Sequence, residues 1–277
     1  MRFEIVTIFP GFFASIFENG ILRRALAEGL VDVGIHDLRT FTHDRHRTVD
    51  DRPFGGGEGM VLKPQPIAEA FASMGIEPKA QRAPRSPNQQ QVILLSAQGR
   101  PFTQSLAREI ASIERVVLVC GRYEGVDERI NDLYCDMELS IGDYVLSGGE
   151  LAAAVVIDAA MRLLPGVLGN EASSEFESFG IPDADIATEV EGVPRSQHGA
   201  GGLLDYPHYT RPAEFAGLNV PEPLLNGDHQ AIRRWRREQQ LRKTQANRPD
   251  LLEQAKRSGG LSRKDLEFLE QLSTTRS

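Results

Sequence analysis

The sequence has few cysteines, no excess of positive charge and no long uninterrupted apolar segment. Its two cysteines, Cys120 and Cys135, are too few for a disulfide framework and fit a reducing cytosol. Cys120 ends an apolar run, so we expect a buried free thiol there. The most apolar internal stretch, 151–164, contains Asp158 and Arg162 and is too short and too charged to span a bilayer.

The N-terminal segment MRFEIVTIFPGFF has Glu4 within its apolar stretch and no small-residue cleavage motif. A signal peptide is therefore not expected. Together with the missing membrane span, this pattern predicts a soluble cytoplasmic protein without a membrane partner.

The net charge of −8 argues against a polyanionic partner for the chain taken as a whole. The charge is uneven, however. Residues 202–277 hold 13 Lys and Arg against 10 Asp and Glu, a charge of +3, which leaves −11 for residues 1–201. Whole-chain charge is therefore a poor guide to what the C-terminal part binds.

Apolar patterning predicts an α/β domain over residues 1–169. Continuous or alternating apolar runs predict strands at 2–9, 31–35, 92–95 and 115–119. Helical spacing predicts helices at 21–26, 103–111, 126–134 and 149–164. Because strands and helices alternate, we expect a mainly parallel sheet.

Residues 170–202 lack sustained periodicity and are rich in Ser, Gly, Pro and acids. Seven acidic residues and no Lys or Arg occur from Glu171 to Gly192, which predicts a flexible linker or lid. Helical patterns at 228–243 and 249–272 then predict a small all-helical C-terminal domain over residues 203–277.

Two glycine-rich segments invite nucleotide-binding interpretations. Residues 55–59 (GGGEG), the glycine loop, lack the Gly-Lys-Ser/Thr of a Walker loop and the third glycine of a dinucleotide fingerprint. Leu146 to Glu150 (LSGGE) resembles the signature of ABC-type ATPases, which acts on nucleotide held by a Walker lysine that this chain lacks. A tight loop is the favoured interpretation of residues 55–59.

Two further clusters carry charge or metal-ligand character. His43 and His46 could hold a metal, but three neighbouring arginines would repel a cation and favour a basic surface, so no metal site is predicted. Residues 229–248 hold seven basic residues against one acid, with arginines surrounding Trp235. A solvated helix face is the alternative, but this bias favours phosphate contact.

Five ordered segments resemble the bacterial tRNA (guanine-N(1))-methyltransferase family: FTHDRHRTVDDRPFGGGEGM (41–60), VCGRYEGVDER (119–129), SIGDYVLSGGE (140–150), PGVLGNEASS (165–174) and LLDYPHYTRP (203–212). The similarity covers about residues 1–270. It implies a SPOUT-type methyltransferase with a trefoil-knotted, mainly parallel sheet domain, a linker and a helical domain. It also implies a homodimer whose active site is shared between chains. Topology rules alone would have excluded a knot.

The resemblance implies that S-adenosylmethionine, the methyl donor, binds in the knot loops. Glycines there allow the close backbone approach that an adenosine-bearing ligand needs. The matching positions are Leu95, Ser96, Gly121, Tyr123, Ile141, Gly142, Asp143, Tyr144, Val145, Leu146, Gly148 and Gly149. The family is often assayed with magnesium, but the sequence shows no ligand cluster for it.

The resemblance also assigns catalytic roles. It implies that Glu124 binds the guanine N–H groups and that Arg162 stabilises negative charge on the base oxygen. The family's general base is usually an aspartate in the linker, whereas the matching position here is Glu177, with Glu175 as the alternative. The implied reaction is methylation of N1 of the guanine just 3′ of the tRNA anticodon.

RNA binding is expected to use exposed arginines and closure of the linker over a flipped-out base. The expected residues are Arg45, Arg47, Arg233, Arg234, Arg236 and Arg237. The alternatives are a SPOUT enzyme with another RNA target, a non-catalytic RNA-binding relative and an ABC-type ATPase. The segments LLDYPHYTRP and RRWRR argue against the first, and the retained Glu124, Arg162 and Glu177 argue against the second.

Overall fold

The computed structural model describes residues 1–83, 88–169, 177–180 and 200–274. The chain divides into two compact units, residues 1–169 and 170–277. None of the helices in the described part of the chain combines the length and the apolar character that crossing a membrane requires.

The described residues of the first unit form seven strands and six α-helices. The strands are β1 (Arg2–Thr7), β2 (Asp32–Asp37), β3 (Asp50–Asp51), β4 (Val61–Leu62), β5 (Gln90–Pro101), β6 (Arg115–Cys120) and β7 (Met137–Ser140). The helices are α1 (Ala14–Phe17), α2 (Gly20–Ala27), α3 (Pro64–Ser73), α4 (Gln104–Ala111), α5 (Glu128–Tyr134) and α6 (Glu150–Met161). Five strands form one sheet in the order β2-β1-β6-β5-β7, and every pair in it is parallel. The expected mainly parallel α/β architecture is confirmed.

The central strand β6 shows why the apolar runs are continuous. Val116 and Leu118 face one hydrophobic cluster, which includes α6, whereas Val117 and Val119 face a second cluster, which includes α3. Both faces of the sheet are therefore buried, as in other parallel sheets covered by helices on each side. Packing on both faces holds the strands in place, and the candidate site lies at their carboxyl ends.

The sequence predicted strands β1, β2 and β6 and helices α2, α4, α5 and α6 close to their observed bounds. It missed α1, α3, the short strand β7 and the antiparallel pair β3–β4. The strand predicted at 92–95 is also longer, because β5 continues to Pro101. Residues 96–100 (SAQGR) are polar and carry no alternating pattern, so hydrophobic periodicity could not include them.

The second unit is not all-helical, which corrects the prediction. It contains the antiparallel pair β8 (Glu214–Phe215) and β9 (Leu218–Asn219), followed by α7 (His229–Asn247), α8 (Pro249–Arg257) and α9 (Arg263–Thr274). The helix predicted over 249–272 is two helices, because Gly259 adopts a φ of +72° and Gly260 donates a hydrogen bond back to Ala255. Leu203, Leu241 and Leu252 lie in its hydrophobic core.

Most of the linker predicted at 170–202 lies outside the described residues, and so does Glu175. Residues 177–180 are described and bind to the segment that follows residue 200. The Phe179 amide donates to the Leu203 carbonyl at 2.9 Å, and the Asp205 amide donates to the Ser178 hydroxyl at 2.9 Å. Glu177 therefore begins a turn that is anchored within the second unit.

Both cysteines are buried and free, which confirms the expectation of a buried thiol at Cys120. Burial raises the pKa of the Cys120 thiol well above its usual value. Burial also raises the pKa of Cys135 to about 12. Neither sulfur is a thiolate nucleophile near neutral pH.

Candidate active site

A cavity of about 270 Å³, the strand-end cavity, lies at the carboxyl ends of β5, β6 and β7. Leu95 and Ser96 on β5, Gly121 after β6 and Ile141 after β7 form part of its wall. Ligands of open parallel α/β sheets bind in the crevice beyond the carboxyl ends of the strands. Its volume is close to the lower end of the roughly 300–1,000 Å³ typical of small-molecule sites. Position and size together indicate a ligand site.

The structure brings eleven of the twelve residues predicted to bind the methyl donor to this one cavity. They are Leu95, Ser96, Gly121, Tyr123, Ile141, Gly142, Tyr144, Val145, Leu146, Gly148 and Gly149. The twelfth, Asp143, does not line it. Three segments far apart in sequence thus converge on one place, which no periodicity argument could have predicted.

A bulge in β5 forms one wall of the strand-end cavity. Leu95 pairs with Leu139 of β7, and Arg100 pairs with the same residue, so residues 96–99 project out of the sheet. A Cβ atom at Gly99 would lie 2.3 Å from the backbone nitrogen of Leu139. Glycine is therefore required where the bulge crosses β7.

The loop after β7 forms the opposite wall. Gly142 has a φ of +153°, and a Cβ atom there would lie 2.5 Å from the ring of Tyr144. Ser140 holds the loop, since its hydroxyl accepts a hydrogen bond from the Gly142 amide at 3.3 Å. Tyr144 and Val145 are exposed at the rim. The wall therefore presents apolar and aromatic surface to a ligand.

A buried ion pair joins the two loops that flank the cavity. The Arg122 guanidinium donates to Glu150 at 2.9 Å and to the Ser147 carbonyl at 3.1 Å. Glu150, at the start of α6, also accepts a hydrogen bond from the Thr7 hydroxyl at 2.7 Å. The Arg122 guanidinium lies 4.5 Å from the centre of the Phe9 ring. Sequence reasoning missed this network, although Arg122 and Glu150 both lie in motifs that carried the family resemblance.

The charge around the strand-end cavity is acidic. Glu124, Glu128 and Glu138 all line it. Arg122 also lines it, but its guanidinium is already paired with Glu150. This balance suits a ligand that carries positive charge.

Glu124 is held by the end of the glycine loop and by the residues that follow it. The Glu124 amide donates to the Met60 carbonyl at 3.0 Å, and the Leu62 amide donates to the Gly125 carbonyl at 3.0 Å. Gly59 has a φ of +84°, and a Cβ atom there would lie 2.5 Å from the Glu124 carboxylate. The favoured interpretation of residues 55–59 as a tight loop agrees with the positive φ of four glycines in it. The loop also supports a cavity residue, which the sequence did not indicate.

Arg162 does not line the strand-end cavity of its own chain. Gly149 and Ala152, at the start of α6, do line it, whereas Arg162 is the residue that follows the last turn of this helix. Twelve residues of helix from Glu150 to Arg162 correspond to about 18 Å. The arrangement within one chain therefore separates Arg162 from Glu124.

Arg45 and Arg47 are exposed on the segment between residue 41 and β3. Asp44 holds this segment, because its carboxylate accepts hydrogen bonds from the Thr48 hydroxyl at 2.7 Å and amide at 3.0 Å. These bonds keep the pKa of Asp44 below its usual value. The His43 Nε2 atom lies 2.8 Å from a carboxylate oxygen of Glu69. Within the described ranges no group of three His, Cys, Asp or Glu could hold a metal ion.

The four predicted arginines of α7 differ in their surroundings. Arg234 and Arg236 are exposed, and the Arg236 guanidinium lies 4.8 Å from the centre of the Tyr206 ring. Arg233 is half-buried and donates to the His229 carbonyl at 3.2 Å. The exposed pair is available to an anionic partner.

Arg237 is used by the fold, which argues against its predicted phosphate contact. Its guanidinium forms two hydrogen bonds of 2.9 Å with the buried carboxylate of Asp265 on α9. Burial favours the neutral acid at Asp265, but bonds from Arg237 and Ser262 outweigh this and hold the pKa of Asp265 below its usual value. The helical pattern could not identify a partner 28 residues away.

The first unit thus belongs to the class of parallel α/β proteins and has a cavity beyond the carboxyl ends of its strands, where ligands of such proteins bind. The cavity is lined by acidic side chains and by glycines at positions where a Cβ atom would clash with neighbouring atoms. The comparison with known proteins identifies the family within this class.

The chain belongs to the family described as tRNA (Guanine-1)-methyltransferase TrmD, which matches residues 1–254. It is 54% identical over 272 residues to the tRNA (guanine-N(1)-)-methyltransferase of Koribacter versatilis, with 98% of each chain covered. It is 46% identical over 258 residues to the protein of the same name from Geobacter sulfurreducens, covering 93% of this chain and 94% of that one. It is 47% identical over 253 residues to that of Dehalococcoides mccartyi, with 91% of each covered. The family predicted from the five motifs is confirmed.

Proposed function

We propose that the protein transfers the methyl group of S-adenosylmethionine to N1 of the guanine immediately 3′ of the anticodon in tRNA. One observation carries this proposal: the three segments that the resemblance assigns to the methyl donor line one cavity, which Glu124 also lines. The full-length similarity to tRNA (guanine-N(1)-)-methyltransferases gives the substrate class and the position of the methyl group.

The cavity fits the methyl donor, which supplies an electrophilic methyl group on a positively charged sulfur. Glu124, Glu128 and Glu138 provide the negative charge that such a ligand favours. Gly121 and Gly142 keep part of the cavity wall free of side chains, and such backbone suits the edge of an adenine ring.

Guanine N1 carries a proton at neutral pH, so it needs a base as it attacks the methyl group. Glu177 accepts this proton while the bond between N1 and the methyl carbon forms and the bond between that carbon and sulfur breaks. Arg162 stabilises the negative charge that moves onto the base oxygen. Glu124 orients the base by accepting hydrogen bonds from its N–H groups.

The active unit is a homodimer whose active site is shared between chains. Arg162 is separated from the strand-end cavity of its own chain by the length of α6, so a second copy is the source of a nearby Arg162. On α6, Leu151 and Val155 are large apolar residues one helical turn apart, and both are about half exposed. Their burial against a second copy would remove this apolar surface from water.

The fold is of the SPOUT type, and we propose that the cavity segments form its trefoil knot. Support comes from the close crossing of Gly99 over β7 and from the hydrogen bond that the Gly149 amide donates to the Gly121 carbonyl at 2.9 Å. Residues 170–202 act as a lid that carries Glu177, and residues 203–277 form the tRNA-binding domain. The turn at Glu177 is anchored to residues 203–205, which ties the base to the part that holds tRNA.

The tRNA phosphates are bound by Arg45, Arg47, Arg233, Arg234 and Arg236. We place the reaction in the cytoplasm, in keeping with two free thiols and a tRNA substrate. No role is assigned to magnesium.

The proposal is tested by incubating the protein with S-adenosylmethionine and an unmodified tRNA transcript that has guanine 3′ of the anticodon. Mass spectrometry of the digested RNA is expected to detect 1-methylguanosine at that position. A transcript with adenine there should remain unmethylated. A methyl group on another atom or at another nucleotide would overturn the assignment.

A further inference from the structure

Phe54 is the most exposed large apolar residue in the described part of the chain, and its side chain is fully accessible to solvent. It precedes the glycine loop and follows Arg52 and Pro53. An aromatic ring exposed to water does not gain the free energy of apolar burial unless a partner covers it. None of the catalytic or donor-binding roles assigned above uses this residue.

The backbone around Phe54 forms a turn. The Gly56 amide donates to the Pro53 carbonyl at 3.4 Å, which closes a turn around Phe54. Gly55, Gly56 and Gly57 have φ values of +85°, +78° and +127°, a conformation that residues with side chains rarely adopt. The antiparallel pair β3–β4 joins the two ends of the segment. Phe54 is therefore presented by a defined turn.

The same segment supports the guanine-binding residue. Gly59 and Met60 contact Glu124, as described above, and Glu124 lines the strand-end cavity. Phe54 lies five residues before Gly59, so at most about 17 Å of extended chain separates them. The ring is therefore close enough for nucleotides that flank the target guanine.

The surroundings of Phe54 suit RNA better than a protein surface. Arg45, Arg47 and Arg52 are exposed on the same segment, and their guanidinium groups form no ion pair within the described residues. The immediate neighbours are Arg52, Pro53 and three glycines, which offer little of the apolar area that a stable protein interface buries. Cations beside an exposed aromatic ring are the combination that binds single-stranded nucleic acid.

We propose that Phe54 stacks on a nucleobase next to the target guanine and so helps to bind the tRNA substrate. This inference rests on the proposed function, because it concerns the same RNA. Stacking of one base on an aromatic side chain changes affinity roughly 5- to 150-fold on alanine substitution. The contact leaves the methyl donor untouched.

The test measures the dissociation constant of the unmodified tRNA transcript for wild type and for Phe54→Ala, Phe54→Leu and Phe54→Trp. Ala and Leu should weaken RNA binding roughly 5- to 150-fold, whereas Trp, which keeps a stacking surface, should stay within about threefold of wild type. Donor affinity by calorimetry and the dimer measured by sedimentation should not change. Because binding is the readout, the contact is tested whether or not the transcript is methylated.

Two transcripts, each lacking the base on one side of the target guanine, identify the stacked base. For one of them the loss caused by Phe54→Ala should largely disappear, since the partner base is already missing. Equal losses on both abasic transcripts and the intact one would overturn the inference. So would full RNA affinity in Phe54→Leu, or dissociation of the dimer in Phe54→Ala, which would assign Phe54 to a contact with a second copy.

Discussion

Arg122 and Glu150 form an ion pair at 2.9 Å in which the glutamate side chain is 1% exposed and the arginine 17%. Arg122 follows the end of β6, whereas Glu150 begins α6 after the loop that walls the strand-end cavity. The bond from Arg122 to the Ser147 carbonyl holds the same loop. One buried pair therefore sets the spacing between two walls of the cavity.

We expect Glu150→Ala to lower both stability and donor affinity. Removing one partner of a buried pair leaves the other charge uncompensated and costs about 3–5 kcal/mol. Denaturant unfolding and calorimetry with S-adenosylmethionine measure the two effects. Glu28→Ala is the control, because its pair with Arg24 is about half exposed and contributes about 1 kcal/mol or less. Equal free energies of unfolding for the two variants would show that the pair between Arg122 and Glu150 does not stabilise the fold.

The difference between what the sequence predicted and what it missed has a physical basis. The strand at 115–119 and the helix at 149–164 were predicted because burial on several sides makes their patterns strongly apolar. β7 has only four residues, and the second half of β5 is a polar bulge, so neither has a detectable period. Local pattern also cannot show that Arg122 pairs with Glu150 or Arg237 with Asp265. The resemblance predicted most of the residues that line the cavity. It did not show that the length of α6 separates Arg162 from this cavity within one chain.

Gly59→Ala should impair methylation far more than donor binding, because Glu128 and Glu138 keep their negative charge at the cavity. The added Cβ atom would lie 2.5 Å from the Glu124 carboxylate, which must then move away from the guanine. We expect kcat/KM for tRNA to fall about 10-fold or more, in line with the loss of one charged hydrogen-bonding contact. Gly75→Ala is a matched control: its φ is also positive, at +69°, and nothing lies within 4 Å of the added atom. If both variants lose activity equally, backbone strain is the cause and Glu124 is not.

Glu177→Gln should lose turnover while keeping the affinities for donor and tRNA. Removal of a general base typically lowers the rate about 10²- to 10⁴-fold. Glu177→Asp should retain most activity, because it keeps a carboxylate at this position. Single-turnover kinetics separate the chemical step from binding. Normal turnover in Glu177→Gln combined with loss in Glu175→Gln would assign the base to Glu175.

Arg234→Gln and Arg236→Gln should each flatten the salt dependence of tRNA affinity. One phosphate contact contributes about 0.7–0.9 to the slope of log affinity against log salt concentration. Arg263→Gln is the control, since Arg263 is exposed on α9 outside the cluster. Arg237→Gln should instead destabilise the second unit by breaking its pair with Asp265. An unchanged slope in the Arg234 and Arg236 variants would make α7 a solvated helix face.

The most direct test of the complete site mixes two inactive variants. Gly142→Val disrupts a wall of the strand-end cavity, because a Cβ atom there already overlaps the Tyr144 ring, and Glu177→Gln removes the base. If each site combines the cavity of one chain with the linker of the other, a mixed dimer has one intact site. Equal mixing with free subunit exchange should then restore about a quarter of wild-type methylation of tRNA. No activity above that of the separate variants, in a mixture shown to contain the mixed dimer, would contradict the shared site.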